Sequence, residues 1–432
     1  MQDKQIYIKR RNKLMSMLNK GLVIIPNADE LIRNRDSVYP YRFDSDFFYL
    51  TGFNEPESVL VLDTNNKKSM LFCREKNPER EIWDGFRYGI KVAKAEFGFD
   101  ETYPINDFTQ KITELLSGVN KLYYTIGLKS NYDGIIINTI NSLWNKARGG
   151  VVAPQSLIDI NSYIAECRLF KDEYDIEYIT KSCQISTEAH ITAMKYVRHA
   201  KYEYEIEAKI LEIFYRNGSR YPAYPAIVAS GGNACILHYI ANNAKLNPHE
   251  LLLVDAGSEY NGYAADITRT YPIGGKFTRE QQAVYEIVLA ANKAAIAKIQ
   301  VGNLWNEPSD IAVEILTQGL IDLKLLRGSL QDNIAQGKYK KFYMHSIGHW
   351  LGLDVHDVGT YKVDDKYRSF VAGMCTTIEP GLYIAPDSGV PEKFWNIGIR
   401  IEDDILLTDT GHKNLTDGVP KEVKDIEYLV NA

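Results

Sequence analysis

The sequence predicts an α+β protein of two domains: a smaller mixed α/β domain over residues 1–168 and a larger α+β domain over residues 169–432. Three observations predict it. The 432 residues exceed what one typical core organises. The first 165 or so alternate short apolar runs with amphipathic ones. From residue 173 onward, helix pairs alternate with acidic strand pairs.

Composition narrows the class. Hydrophobic residues at 45% and charged residues at 25% are the balance of a soluble globular chain. A net charge of −6 argues against a nucleic-acid partner held by bulk electrostatics. The opening MQDKQIYIKRRNKLM is charged and lacks the apolar centre of a signal peptide, and no stretch approaches the roughly 20 apolar residues that span a bilayer. Cys73, Cys167, Cys183, Cys235 and Cys375 form no CxxC pair, so neither a disulfide framework nor a thiolate zinc site is indicated. The expectation is a cytoplasmic chain with no membrane and no nucleic-acid partner.

In the first domain GLVIIPN from Gly21, FFYLTGF from Phe47, ESVLVLD from Glu57 and KKSMLFC from Lys67 read as strands. The last two are joined at Thr64-Asn65-Asn66, a hairpin turn. A helix over 107–116, the strand KLYYTIG and a helix over 132–146 follow. No acid, base or metal constellation lies here. RNRDSVYPYRFDSDFFYLTGFNEPES reads either as a packed loop and edge or as the rim of a cleft.

The stretch 164–172 reads as the crossing into the second domain. Helices over about 173–198 and 204–217 follow, and His190 and His199 on the first are structural. YPAYPAIVASGGNACILHYIANN reads as irregular chain leading into a strand, with His238 inside it. LLLVDAGSEYNGYAADITRTYPI reads as a hairpin turning at Asn261-Gly262. With those two residues as the loop, Asp266 faces Gly257, two residues along the same face from Asp255. With the loop one residue earlier, Asp255 faces Asp266 directly. Either register puts both carboxylates on one face, where they repel unless a cation lies between them. Thr278 and Gln281 form a capping box opening a helix to about Ile299, and another helix follows Pro308.

Strands carrying Glu379 (TTIEPGLYI) and Glu402 (GIRIEDDILLT) come next, joined by a long loop over 385–396. Arg400 shares the face of Glu402, with Ile399 and Ile401 turned the other way. Between the two acidic pairs lies KFYMHSIGHWLGLDVHD, which packs His345, His349 and His356 into twelve residues. Two Asp, two Glu and an imidazole form a hard, oxygen-rich donor set that suits Mn²⁺ and accommodates Co²⁺, Zn²⁺ or Fe²⁺. Two divalent ions would neutralise the four carboxylates and acidify a water held between them. The reaction class this points to is metal-assisted hydrolysis, with the remaining histidines in proton transfer and transition-state hydrogen bonding.

The motifs DAG…NGYAADITRTYP, HSIGHWLGLDVHD, TIEPGLYI and IGIRIEDD, in this order, resemble those of the pita-bread dinuclear metallopeptidases. The branch they resemble most is Xaa-Pro aminopeptidase (aminopeptidase P), and RNRDSVYPYRFDSDFFYLTGFNEPE is similar to that branch's amino-terminal domain. The resemblance implies an exopeptidase that cleaves the N-terminal Xaa-Pro bond of peptides with proline second, using a water activated by two divalent ions. Asp255 would hold one metal and Asp266 would bridge both. His349 and Glu379 would bind the second, Glu402 would bridge, and Glu379 would also take the water's proton. His238, His345 and His356 would line the substrate site, His356 near the scissile carbonyl and His238 beside the proline leaving group. Arg400 would hold the bridging carboxylates, and Tyr383 would border the pocket. Trp83 in EIWDGFRYG resembles a residue that, in tetrameric members, reaches a neighbouring subunit's active site, so a homo-oligomer, dimer or tetramer, is implied. The rival readings are prolidase, with the same site but dipeptide substrates, and a non-catalytic peptide-binding protein of the same fold. Methionine aminopeptidase fits less well, because nearly 170 residues precede the second domain.

Overall fold

The computed structural model describes residues 4–386 and 389–432. The first three residues of the charged opening, and residues 387 and 388 of the loop expected over 385–396, lie outside that range. The chain divides into two compact units, Met1–Arg168 and Leu169–Ala432.

The first unit is built on a six-stranded sheet. Its order is Glu101–Pro104, Lys68–Cys73, Val59–Asp63, Leu22–Pro26, Lys121–Tyr123, Ser156–Ile158. The Val59–Asp63 and Lys68–Cys73 strands form the expected hairpin, Asp63 opposite Lys68. Helices Phe108–Leu116 and Ser130–Asn145 cover one face, packing Phe108, Ile112, Leu116 and Leu143 onto Ile24, Val61 and Phe72.

One sequence expectation fails here. FFYLTGF, read as a strand, lies in the helix Ser45–Thr51 and its cap. Asp44 accepts hydrogen bonds from the Asp46 and Phe47 backbone N–H groups, and Gly52 (φ +66°) closes the last turn onto Phe48 O. The run is apolar on every side because the helix is buried all round. A short apolar run of that kind carries no period to tell helix from strand. The stretch 164–172, where the two units divide between Arg168 and Leu169, is mostly helical: Asn161–Leu169 is a helix, tied to the rest of the first unit by Tyr49 Oη–H donating to Cys167 O and by an Arg168–Asp46 ion pair at 2.6 Å.

In the second unit, helices Glu173–Tyr196, Glu203–Arg216, Arg279–Ala297 and Glu307–Asp322 surround short antiparallel sheets. Thr278 and Gln281 make the expected capping box. Ala189, Ile206, Val288 and Leu316 from the helices meet Leu252, Val254, Ile378 and Ile399 from the strands in one core. His190 is fully buried, with Nε2–H donating to Ala256 O; burial pulls its pKa down to about 4, so it is a neutral structural residue.

Candidate active site

Two interrupted hairpins build the site. In the first, Leu251–Asp255 pairs with Thr268–Pro272, Asp255 opposite Thr268, and beyond the break Tyr260 pairs with Tyr263. That is the first of the two registers considered, with Asn261 (φ +52°) and Gly262 (φ +86°) as the turn. Asp266 therefore lies opposite Gly257. A Cβ on Gly257 would meet Ala265 O at 1.7 Å, so only glycine lets the chains approach this closely. Asp266 does not sit within a strand as expected but in the gap between Tyr263–Ala264 and Thr268–Pro272.

The second hairpin is built the same way. Gly381 pairs with Arg400, and Cys375 with Leu406, in one continuous register. Carried through the gap, that register puts Glu379 opposite Glu402. Both sit just past strand ends, so in each hairpin a break in the ladder frees carboxylate-bearing residues from sheet geometry. Thr268 Oγ1–H links the hairpins by donating to Glu402 Oε2 (2.7 Å).

The histidine-rich stretch has no helix or strand of its own; the rim of the second hairpin holds it. Thr377 N–H donates to His349 O (2.9 Å), Glu379 N–H to Ile347 O (2.8 Å) and Leu351 N–H to Cys375 O (3.0 Å). His349 Nδ1–H donates to Trp350 O at 3.0 Å, which leaves Nε2 facing Asp266 Oδ2 at 3.3 Å and Glu379 Oε1 at 3.7 Å. A directed chain fixes a second imidazole. Arg400 Nη1–H donates to Tyr383 Oη (2.9 Å), Tyr383 Oη–H to His345 Nε2 (2.8 Å), and His345 Nδ1–H to Ser346 O (2.8 Å). Arg400 also grips Asp255 Oδ2 at 2.5 Å and donates from Nε to Thr268 Oγ1.

The electrostatics show a shortage of positive charge. Burial pushes Glu379 up to about 7 and Glu402 well above the carboxylate range, and the neighbouring carboxylates push the same way. Burial also raises Asp255, against the pull of Arg400. Burial works against protonation of His349, yet the hydrogen bond to Asp266 and the charges of Asp266 and Glu379 lift it to about 9. Burial and Arg400 together hold His345 down near 4, in keeping with its role as acceptor from Tyr383. Donor atoms of Asp266, His349 and Glu402 lie within 4.8 Å of one another, the spacing of a shared cation. Asp255 and Glu379 face the same cavity, Asp255 turned toward Arg400 and Tyr224, Glu379 toward His349 and His345. The donor set and its charge deficit fit divalent cations.

The cavity holds about 600 Å³ and is lined by second-unit residues, among them all five ligand-type side chains with His238, His345, His356 and Arg400. His356 is exposed, its ring centred 4.1 Å from that of His349. His238 is exposed on the irregular chain between the strands Ile227–Ser230 and Leu251–Asp255. Tyr383 is buried beneath the cavity, its hydroxyl raised to about 12 by burial. Trp83 is not part of this lining: it lies in the first unit on the short helix Pro78–Asp84, 83% exposed. Sequence reasoning missed Tyr224, whose hydroxyl lies 2.6 Å from Asp255 Oδ1 and 2.5 Å from Asp266 Oδ1 and donates to one of them at a time. It also missed the apolar wall formed by Trp305, Tyr361 and Ile240.

Comparison with known proteins places this architecture. The profile of metallopeptidase family M24 matches residues 177–409, and that of the aminopeptidase P N-terminal domain matches residues 7–123. The Xaa-Pro aminopeptidase of Escherichia coli (strain K12) is 42% identical over 100% of this chain and 98% of its own. The chain belongs to the aminopeptidase P branch of the M24 metallopeptidases. Within that branch, the Xaa-Pro aminopeptidase of Haemophilus influenzae is 41% identical over 99% of this chain and 97% of its own. Among solved structures, Pseudomonas aeruginosa aminopeptidase PepP superposes with a TM-score of 0.97 at 44% identity, covering 99% of this chain and 98% of that one. Zinc-substituted E. coli aminopeptidase P in complex with product gives 0.97 at 42%, with the same coverage. The chain thus joins an aminopeptidase P amino-terminal domain to an M24 pita-bread domain, and membership of this metallopeptidase family implies divalent metal ions.

Proposed function

We propose that the chain is an Xaa-Pro aminopeptidase that removes the first residue from peptides with proline second. The observation that carries this is the convergence of Asp255, Asp266, His349, Glu379 and Glu402 on one cavity, in a chain whose full-length relatives bear that name. Those five residues would hold two divalent ions; when bound, the ions acidify a water and polarise the carbonyl it attacks. Glu379, facing the cavity beside His349 and His345, is the carboxylate suited by position to accept the water's proton. His356, which lines the cavity with its ring 4.1 Å from that of His349, is the imidazole assigned to hydrogen-bond the scissile carbonyl. His238 faces the cavity as the group serving the departing proline nitrogen, which lacks an N–H of its own. The Arg400–Tyr383–His345 chain keeps Asp255 and the substrate-side imidazole in place.

Manganese is the proposed ion, because oxygen donors outnumber the single imidazole. A cytoplasmic setting is supported by five cysteines with no disulfide, and no helix among the described residues is long and apolar enough to cross a membrane. Exposed Ile82, Trp83 and Phe86 support contacts between copies of the chain in a homo-oligomer. Prolidase is disfavoured because the Escherichia coli and Haemophilus influenzae relatives matched over the whole chain are Xaa-Pro aminopeptidases, and a non-catalytic binder because no ligand-type residue is missing.

The test is hydrolysis of an Xaa-Pro dipeptide and an Xaa-Pro-Yaa tripeptide by metal-stripped protein with and without Mn²⁺. Metal-restored release of Xaa from the tripeptide is expected. Cleavage of the dipeptide alone would move the assignment to prolidase, and no cleavage of either would leave a binding protein.

A further inference from the structure

Glu203 is the first residue of the helix Glu203–Arg216, it is fully buried, and among the described residues no cation pairs with it. Five neutral donors do so instead. Oε1 accepts from Ser230 N–H (2.7 Å), Ser230 Oγ–H (2.8 Å) and Asn233 Nδ2–H (3.1 Å). Oε2 accepts from Tyr239 Oη–H (2.8 Å) and Ala244 N–H (2.9 Å). Glu203 N–H in turn donates to Ala244 O (3.0 Å). A buried carboxylate is retained without a counter-ion only where donors saturate it and a helix N-terminus favours its charge; both hold here.

The donors come from the two ends of one segment. Ser230 and Asn233 lie at its start, Tyr239 and Ala244 near its close, and His238 sits between them. Leu237, His238 and Ile240 are the parts of this segment that line the cavity. Past Ser230, which ends the strand Ile227–Ser230, the segment has only a short 3-10 turn, Gly231–Cys235, so no backbone ladder sets where His238 stands.

We propose that Glu203 is a positioning residue: its carboxylate draws both ends of the 230–244 segment together and thereby sets His238 against the substrate. This rests on the reading of His238 given above. Glu203→Gln removes the charge and puts an amide N–H against donors that need an acceptor, so the clamp opens. Tyr239→Phe deletes one of the five donors, beside His238 itself, and spares the rest.

The experiment is a double-mutant cycle on tripeptide hydrolysis by the metal-loaded protein, with cation content measured for every variant. His238→Ala is expected to lower kcat/KM by about 100-fold, Glu203→Gln by about 10-fold or more, and Tyr239→Phe by about 3-fold, with cation content unchanged. In the His238→Ala background the other two changes should cost nothing further. Losses that multiply in that background would overturn the proposal and assign Glu203 a general structural role. If Glu203→Gln does not fold, the Tyr239→Phe cycle decides on the same terms. Should His238→Ala keep full activity, the role given to His238 falls, and the proposal with it.

Discussion

Glu402 and Asp403 are neighbours in sequence, both are buried, and they face opposite sides of one hairpin. On the Asp403 side, Arg269 Nη2 lies 2.7 Å and Lys421 Nζ 2.6 Å from the carboxylate, and Thr416 Oγ1–H donates to it. Burial alone would raise Asp403, but the two cations outweigh it and hold the carboxyl well below its usual range. On the Glu402 side, four carboxylates share one arginine and one histidine, and burial with mutual repulsion lifts Glu402. The same hairpin thus carries a saturated ion cluster on one side and a starved one on the other. Where cations saturate a carboxylate it serves the fold; where they are short, the chain leaves room for ions from outside.

The largest effect that separates the two sides is on catalysis. Glu402→Gln should lower kcat/KM by about 1000-fold or more, while urea denaturation of the metal-free protein finds its stability unchanged or raised. Asp403→Asn should do the reverse in kind: it leaves Arg269 buried and short of charge, and destabilises metal-free and metal-loaded protein alike by about 3–5 kcal/mol. Equal destabilisation by both variants would erase the distinction.

The next effect concerns pH. The folded pKa of His349, raised to about 9, exceeds its unfolded value of roughly 6.5. It therefore stabilises the metal-free fold fully below 6.5 and loses that contribution as pH rises through 9. Glu379, raised to about 7, adds to the fall at the lower end. His190, with a folded pKa near 4, is neutral in both states through most of this window and does not confuse it. Metal-free protein should lose on the order of 3 kcal/mol between pH 6.5 and 9, and His349→Asn should remove most of that slope. A flat wild-type profile would contradict it.

How much of this was legible in the sequence follows from which interactions are local. The Asn261-Gly262 turn fixes the register that brings Asp255 and Asp266 to one face, because the turn is two residues long and strand periodicity is two. The capping box at Thr278 is equally local. FFYLTGF was misread because its helix signals, Asp44 and Gly52, flank the run and the run itself has no polar face. Tyr224 and Glu203 left no local trace. Tyr224 acts on carboxylates 31 and 42 residues away, and Glu203 gathers donors from 27 to 41 residues away. Hydroxyl-on-carboxylate and clamp-on-loop contacts of that span are set by packing of the whole unit.

The smallest effect sharpens the starved side further. Tyr224→Phe removes the hydroxyl that lies between Asp255 and Asp266 and should reduce kcat/KM by about 10-fold with little change in stability. Steady-state kinetics beside a thermal melt of the metal-loaded enzyme would check it; a melt shift without a rate change would make Tyr224 a packing residue.

The central claim is that the missing positive charge arrives as divalent cations. Calorimetric titration of metal-stripped protein with Mn²⁺, run in buffers of different ionisation enthalpy, reads cation stoichiometry and proton release together. The account predicts two cations per chain, with protons released as His349 and Glu379 give theirs up, and fewer tightly held cations in Glu402→Gln. Binding that releases no protons, or that is identical in Glu402→Gln, would contradict it.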